Sequence, residues 1–133
     1  MITAVDSNVL FDVLLDDPVF SARSQDALRR ASREGALILC EAVYTEVAGL
    51  FPERERALLE TFFRETGIQL VASRPEALFK AGHLWKRARP SGAHRRLLAD
   101  FLVGAHALLQ AERLLTRDKG FYRAAFSGLR LFS

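Results

Sequence analysis

Five short apolar runs recur along the chain: "ITAVD" (2–6), "ALILC" (36–40), "IQLVA" (68–72), "RLLT" (113–116) and "LRLF" (129–132). Each is bounded by turn or capping residues and separated from the next by a stretch with helical spacing of its apolar side chains. Runs of this length and character read as strands, and the intervals read as amphipathic helices. A strand–helix alternation sustained from end to end predicts an α/β fold: a mainly parallel central sheet of about five strands with helices on both faces.

The intervals support this reading in detail. "NVLFDVLL" follows the first strand, and Pro18 separates it from a second helix over about 20–33, with Phe20, Ala27, Leu28 and Ala31 on one stripe and Gly35 as its stop. A helix over about 41–49 comes next, then one restarting at Pro52 and ending at Gly67. Ser73 is placed to cap a helix with Pro75 in its first turn. "ARPSGAH" (88–94) reads as a loop, Leu97 to Leu109 marks a strongly apolar helix, and "KGFYRAAF" a short final one. No repeat, linker or low-complexity segment divides the chain, so residues 1–133 are expected to form one domain.

Composition narrows the class. Half of the 133 residues are hydrophobic, ten of them Phe, which is enough to build a core and excludes a disordered chain. The lone Cys40 cannot form an internal disulfide and suits a reducing compartment; its expected role is that of a small buried apolar residue. No Cys/His spacing suits zinc. The N-terminus lacks a secretory pattern and no apolar run reaches the ~20 residues of a membrane span, so a cytoplasmic, non-membrane protein is expected. The formal net charge of +3 permits a polyanionic partner.

Ligands of open α/β sheets bind beyond the carboxyl ends of the strands. Asp6 ends the first strand and Asp118 follows the fourth. Glu46 lies in the helix after the second strand, in "YTEV", and Asp100 opens the helix that feeds the fourth. Asp100 is flanked by Leu97, Leu98, Phe101 and Leu102, and in 103–107 only His106 is polar. A carboxylate in such surroundings calls for a partner or a cation. Several carboxylates meeting without a matching lysine form the oxygen-rich donor set of a hard divalent ion, Mg²⁺ or Mn²⁺. Each acid also has a simpler reading. Asp6 and Asp118 could cap the helices that follow them, Glu46 could be a solvated helix residue, and Asp100 could pair with Arg95 or Arg96.

Taken together, "VDSNVL", "YTEV", "ADFLVGAHAL" and "LLTRDKGFY" resemble the PIN domain, and within it the small single-domain toxins of the VapC type. The likeness spans residues 1–132. It implies a Mg²⁺- or Mn²⁺-dependent endoribonuclease in which Asp6, Glu46, Asp100 and Asp118 bind the metal and carry catalysis. Ser7 and Asn8 would orient Asp6, and Thr116 would support the site from behind. It further implies a homodimer held inactive by a cognate antitoxin protein. Two departures stand out. Relatives often carry Asn at the position of Asp118, with another Asp further on and then Phe; here Phe121 fills that later slot. Glu41, nearer the strand end, is the alternative to Glu46.

For the substrate, Arg95, Arg96, Arg117 and Lys119 are candidate phosphate contacts, with "KRARPSGAHRR" (86–96) the densest basic stretch. Tyr122 is a candidate for base stacking, whereas Phe121 is expected in the core. None of His83, His94 and His106 forms an acid–base pair, and His106 is expected to be packed or hydrogen-bonded. The stripes of Phe11, Leu14 and Leu15, and of Leu58, Phe62 and Phe63, are candidate protein-contact surfaces or core. Other readings are a catalytically silent PIN-like module binding RNA or protein, and a PIN nuclease of RNA maturation. A phosphoacceptor receiver domain fits poorly, because "IQLVAS" ends without an acid and no lysine follows a late strand.

Overall fold

Strand β1 (Thr3–Val5) is buried at every position and lies at the centre of a five-stranded, all-parallel sheet of order β3-β2-β1-β4-β5. The computed structural model describes residues 1–88 and 97–133. Around β1 stand β2 (Leu37–Leu39), β3 (Gln69–Leu70), β4 (Arg113–Leu115) and β5 (Leu131–Phe132). The helices are α1 (Ser7–Leu14), α2 (Ser21–Glu34), α3 (Glu41–Ala48), α4 (Arg56–Thr66), α5 (Pro75–Ala88), α6 (Leu98–Gln110) and α7 (Lys119–Ala125). A 3₁₀ turn, Glu53–Glu55, leads into α4.

The chain winds outward from β1 to β2 and β3, then returns to the far side of β1 for β4 and β5. With right-handed crossovers, this reversal sends the helices before and after it to opposite faces of the sheet. It also makes the β1/β4 boundary the topological switch point, where strand ends diverge and leave a crevice. Asp6 and Thr116 are the residues that leave those two strands.

All five expected strands form, each trimmed at its ends. The trimming is largest in β3, which keeps two exposed residues where a five-residue run with four apolar side chains suggested more; Leu70 is exposed because β3 is an edge strand. Ser73 does not cap α5. The helix begins at Pro75 on the carbonyl of Arg74, and the Ser73 N–H is given to Glu41 instead. Gly67 ends α4 in the left-handed conformation (φ 72°) that a side chain disfavours. Of the two candidate contact stripes, Phe11, Leu14, Phe62 and Phe63 pack against the core, while Leu15 and Leu58 remain exposed. Arg95, Arg96, His94 and most of the expected 88–94 loop lie outside the described residues. Among the described residues, no helix is long and apolar enough to cross a membrane.

Helix α6 is the least amphipathic of the long helices, because it runs through the core: Phe101, Val103, Ala105 and Ala107 are buried along with His106. Gly104 sits among them. A β-carbon there would meet the Phe126 ring at 2.2 Å, so glycine is what lets that ring lie against the helix.

Candidate metal and nuclease site

Asp6 is 6 % exposed and organised by four donors, three of them from α1 and the end of β4 and the fourth the Tyr122 hydroxyl. The Ser7 N–H donates to Oδ1 at 2.8 Å, so Asp6 does cap α1; Oδ2 accepts from the Thr116 hydroxyl at 2.8 Å and from Asn8 Nδ2 at 3.3 Å. The capping and functional readings are thus compatible, one oxygen serving the helix and the other facing β4. Thr116 Oγ1 in turn accepts from Asn8 Nδ2 at 3.3 Å and from the Asp118 N–H at 3.0 Å. Ser7, Asn8 and Thr116 are therefore all gathered on Asp6.

The other acids are brought to the same crevice. Burial pushes the Asp6 carboxyl above its ordinary range, and the negative charge of Asp100 adds to the push, against the hydrogen bonds from Thr116, Ser7 and Tyr122. Glu46, on the exposed rim of α3, is likewise raised, first by desolvation of its carboxyl and then by the charges of Asp6 and Asp100, with the Ser7 hydroxyl opposing. Among the described residues, the charges that act on Glu46 are the carboxylates of Asp6 and Asp100. Asp100, half-buried rather than enclosed, accepts from the Leu97 N–H at 3.2 Å and so closes the first turn of α6. Leu97 and Leu98 beside it are exposed, so the apolar surround read from the sequence is only partial. Asp118 occupies the N-cap position of α7, but its carboxylate makes no capping hydrogen bond.

Glu41 is engaged elsewhere. Burial pushes its carboxyl up, but hydrogen bonds from Ser73, the N–H at 2.7 Å, and the charge of His106 hold it below its ordinary range. It ties the end of β2 to the chain after β3, while Glu46 shares the field of Asp6 and Asp100. His106 is buried, its Nε2 on the Val71 carbonyl at 2.8 Å. The Cys40 thiol is pushed up to about 11 by burial and is no nucleophile.

Two residues have roles the sequence did not announce. Tyr122 cannot stack bases: it is 1 % exposed, and its hydroxyl reaches Asp6 from α7, in the field of Asp100 and Asp118, all of which, with burial foremost, keep it un-ionised. Its position four residues after Asp118, one helical turn, is the signal that could have revealed it. Asp12 is 3 % exposed and holds Arg117 in a two-pronged ion pair, Nε to Oδ2 at 2.6 Å and Nη2 to Oδ1 at 2.9 Å. The Arg117 guanidinium, a candidate phosphate contact, is thus committed to a carboxylate, and Lys119 at the start of α7 remains as the described candidate. Phe121 packs edge-on against Phe101 at 5.3 Å, in the core as expected.

Among the described residues, no three Asp, Glu, His or Cys side chains close tightly enough to cage a metal by themselves. The donor set is nonetheless one of hard oxygens whose mutual repulsion a cation would relieve. That suits Mg²⁺ or Mn²⁺, which keeps several waters and needs only one or two direct carboxylates.

A parallel α/β sheet with carboxylates gathered at its switch point defines the class: a doubly wound fold with an acidic crevice. Residues 3–127 match the PIN domain, and the chain belongs to the PIN domain family. Similar solved structures cover nearly the whole chain. VapBC2 from Rickettsia felis, bound to a DNA fragment from its promoter, aligns with TM-score 0.75 and 16 % identity over 98 % of this chain and 97 % of that one. VapBC-1 from nontypeable Haemophilus influenzae gives 0.72 and 18 % over 98 % and 96 %. A toxin–antitoxin complex from Klebsiella pneumoniae gives 0.65 and 16 % over 98 % and 96 %. No curated protein sequence matches the chain significantly.

Proposed function

We propose that this protein is a Mg²⁺- or Mn²⁺-dependent endoribonuclease and the toxin of a toxin–antitoxin pair. The observation that carries the chemistry is the gathering of carboxylates at the switch point: Thr116 Oγ1 donates to Asp6 and accepts the Asp118 N–H, the charge of Asp100 acts on Asp6, and the charges of Asp6 and Asp100 act on Glu46. Asp6, Glu46, Asp100 and Asp118 would hold the ion. Bound there, it supplies a water of lowered pKa and neutralises charge on the phosphate oxygens. The chain's own contribution is orientation. Thr116 and Asn8 fix one Asp6 oxygen, Ser7 fixes the other, and the buried Tyr122 adds its hydroxyl to the same carboxylate. Lys119, next to Asp118 at the start of α7, would meet a phosphate. His106 takes no part, since its Nε2 is held by the Val71 carbonyl.

The toxin assignment draws on the family and on the likeness to VapBC complexes. A cognate antitoxin, a homodimeric state and a cytoplasmic setting belong to the same proposal. Purified protein should cut a mixed RNA pool with Mg²⁺ or Mn²⁺, fall silent in EDTA, and lose activity in an Asp6→Ala, Asp100→Ala double mutant. Cutting that survives in the double mutant is contamination and removes the assignment.

A further inference from the structure

Residue 117 stands between Thr116 and Asp118, and α1 grips it twice. Asn8 Oδ1 accepts its backbone N–H at 3.2 Å, and Asp12, one turn further along the same helix face, takes its guanidinium. Asp12 is itself fixed from α2, where Ser24 Oγ donates to Oδ2 at 2.6 Å. The flat face of the guanidinium lies 3.9 Å above the Phe20 ring. Nε, Nη2 and the π face are thus all occupied, and the fork geometry permits one arrangement of the turn.

The pair is buried at its carboxylate end, with the Arg117 side chain 29 % exposed; such a pair is a poor device for stability alone, because desolvating the carboxylate offsets much of the attraction and apolar residues of similar volume hold two elements together as well. What the fork adds is register. It sets where the β4–α7 turn lies against α1, and that turn carries the Thr116 hydroxyl to Asp6 and the Asp118 carboxylate to the crevice. We propose that Asp12 and Arg117 are positioning residues for the acidic site, Arg117 serving it from behind and not as a contact to RNA phosphate. This rests on the nuclease reading above.

The test compares wild type with Asp12→Asn, Arg117→Lys and Arg117→Gln. Three quantities are measured: Mn²⁺ affinity by electron paramagnetic resonance titration without RNA, kcat and KM for RNA cleavage, and the salt dependence of RNA binding. Supporting residues of a metal site change affinity or turnover by roughly ten- to a hundredfold. All three variants should bind Mn²⁺ about tenfold or more weakly and lose kcat to a similar degree. KM and the slope of log affinity against log salt should stay at wild-type values. If Arg117→Gln raises KM and lowers that slope by about one while Asp12→Asn does not, Arg117 touches phosphate and the proposal fails. If the variants only unfold more easily, with Mn²⁺ affinity and kcat intact, the pair is structural and the proposal fails. Should Asp12→Asn not fold, Arg117→Lys, which keeps the charge and loses the fork, decides alone. Wild type that neither binds Mn²⁺ nor cuts RNA removes the nuclease reading and this inference with it. Wild type that does both, with unchanged variants, removes only this inference.

Discussion

The Thr116 hydroxyl has one direction left for its hydrogen, toward Asp6. Its oxygen already accepts from Asn8 Nδ2 and from the Asp118 N–H, and it lies 2.8 Å from Asp6 Oδ2. With both lone pairs filled by donors, the O–H must point at the carboxylate. One buried hydroxyl thereby links the two strands at the switch point and the two acids that leave them.

Thr116→Val keeps the shape and removes this relay. It leaves the Asp118 N–H and Asn8 Nδ2 without that acceptor and deprives Asp6 of a donor. The expected cost is about 1–3 kcal/mol of folding free energy for unsatisfied buried groups. RNA cleavage should fall by about ten- to a hundredfold. Thr116→Ser should retain most of both. Urea denaturation and initial rates at saturating Mg²⁺ measure the two effects; a valine variant as active as wild type would show the relay to be dispensable.

Asp6 and Glu46 carry a pH signature in the metal-free protein. Both carboxyls are raised above their ordinary values of 3.8 and 4.5. Stability contributed by a raised acid is present below its ordinary value and is lost as pH climbs through the raised one. Glu41, held below its ordinary 4.5, works in the opposite sense, its contribution being lost as pH falls. Comparing wild type with Asp6→Asn isolates Asp6. In EDTA, Asp6→Asn should melt higher than wild type, by a few degrees for a domain of this size, and the gap should widen from about pH 4 upward. Saturating Mn²⁺ should close the gap by stabilising wild type alone. A melting temperature that is independent of pH in this difference, or lower in the variant throughout, contradicts the electrostatic account of Asp6.

Tyr122→Phe removes a single hydroxyl. The bond from Tyr122 lowers the Asp6 carboxyl against the larger effect of burial, so its loss should raise that carboxyl further. The ring's contacts with Phe121 and Phe126 remain, so the fold should hold. Cleavage by the variant should weaken most on the acid side of the pH–rate profile and approach wild type at higher pH. A profile lowered evenly at all pH values would mean that the hydroxyl acts in some way other than through Asp6.

Strand positions and the α/β class were legible because apolar runs of four or five residues between helical periods have few other uses. Asp6 was legible because it ends such a run. Asp118 was legible in the same way, just past the fourth run, whereas the choice of Glu46 over Glu41 rested on family likeness, since an isolated acid in a helix has no periodic signal. Asp12 escaped notice for a different reason. It interrupts the apolar pattern of "NVLFDVLL" much as Asp100 interrupts its own helix, but its partner Arg117 lies 105 residues away and no local spacing predicts the pair. The assignment of Tyr122 to base stacking failed because aromatic character says nothing about which way a short helix turns its faces. Edge position likewise cannot be read from "IQLVA"; only the strand order shows why β3 shrinks to two residues.

Gly104 offers a test of how the core supports the acids. It lies one turn after Asp100, and the Phe126 ring occupies the space a β-carbon would need, at 2.2 Å. The ring is the side chain that must move, and it packs 6.3 Å from Phe101 and 6.1 Å from Tyr122, centroid to centroid. Gly104→Ala gains helix propensity on the order of 1 kcal/mol but overpacks a filled site, at about 1–3 kcal/mol. Because the ring is backed by two other aromatics, the packing cost should win and the urea midpoint should fall. Displaced Phe126 also presses on Tyr122, so Mn²⁺ affinity should fall with it. Adding Phe126→Leu makes room for the methyl group and should recover part of both losses, so that the double variant is more stable than the sum of the single effects. Strict additivity in that cycle would show that the alanine and the ring do not compete for the same space.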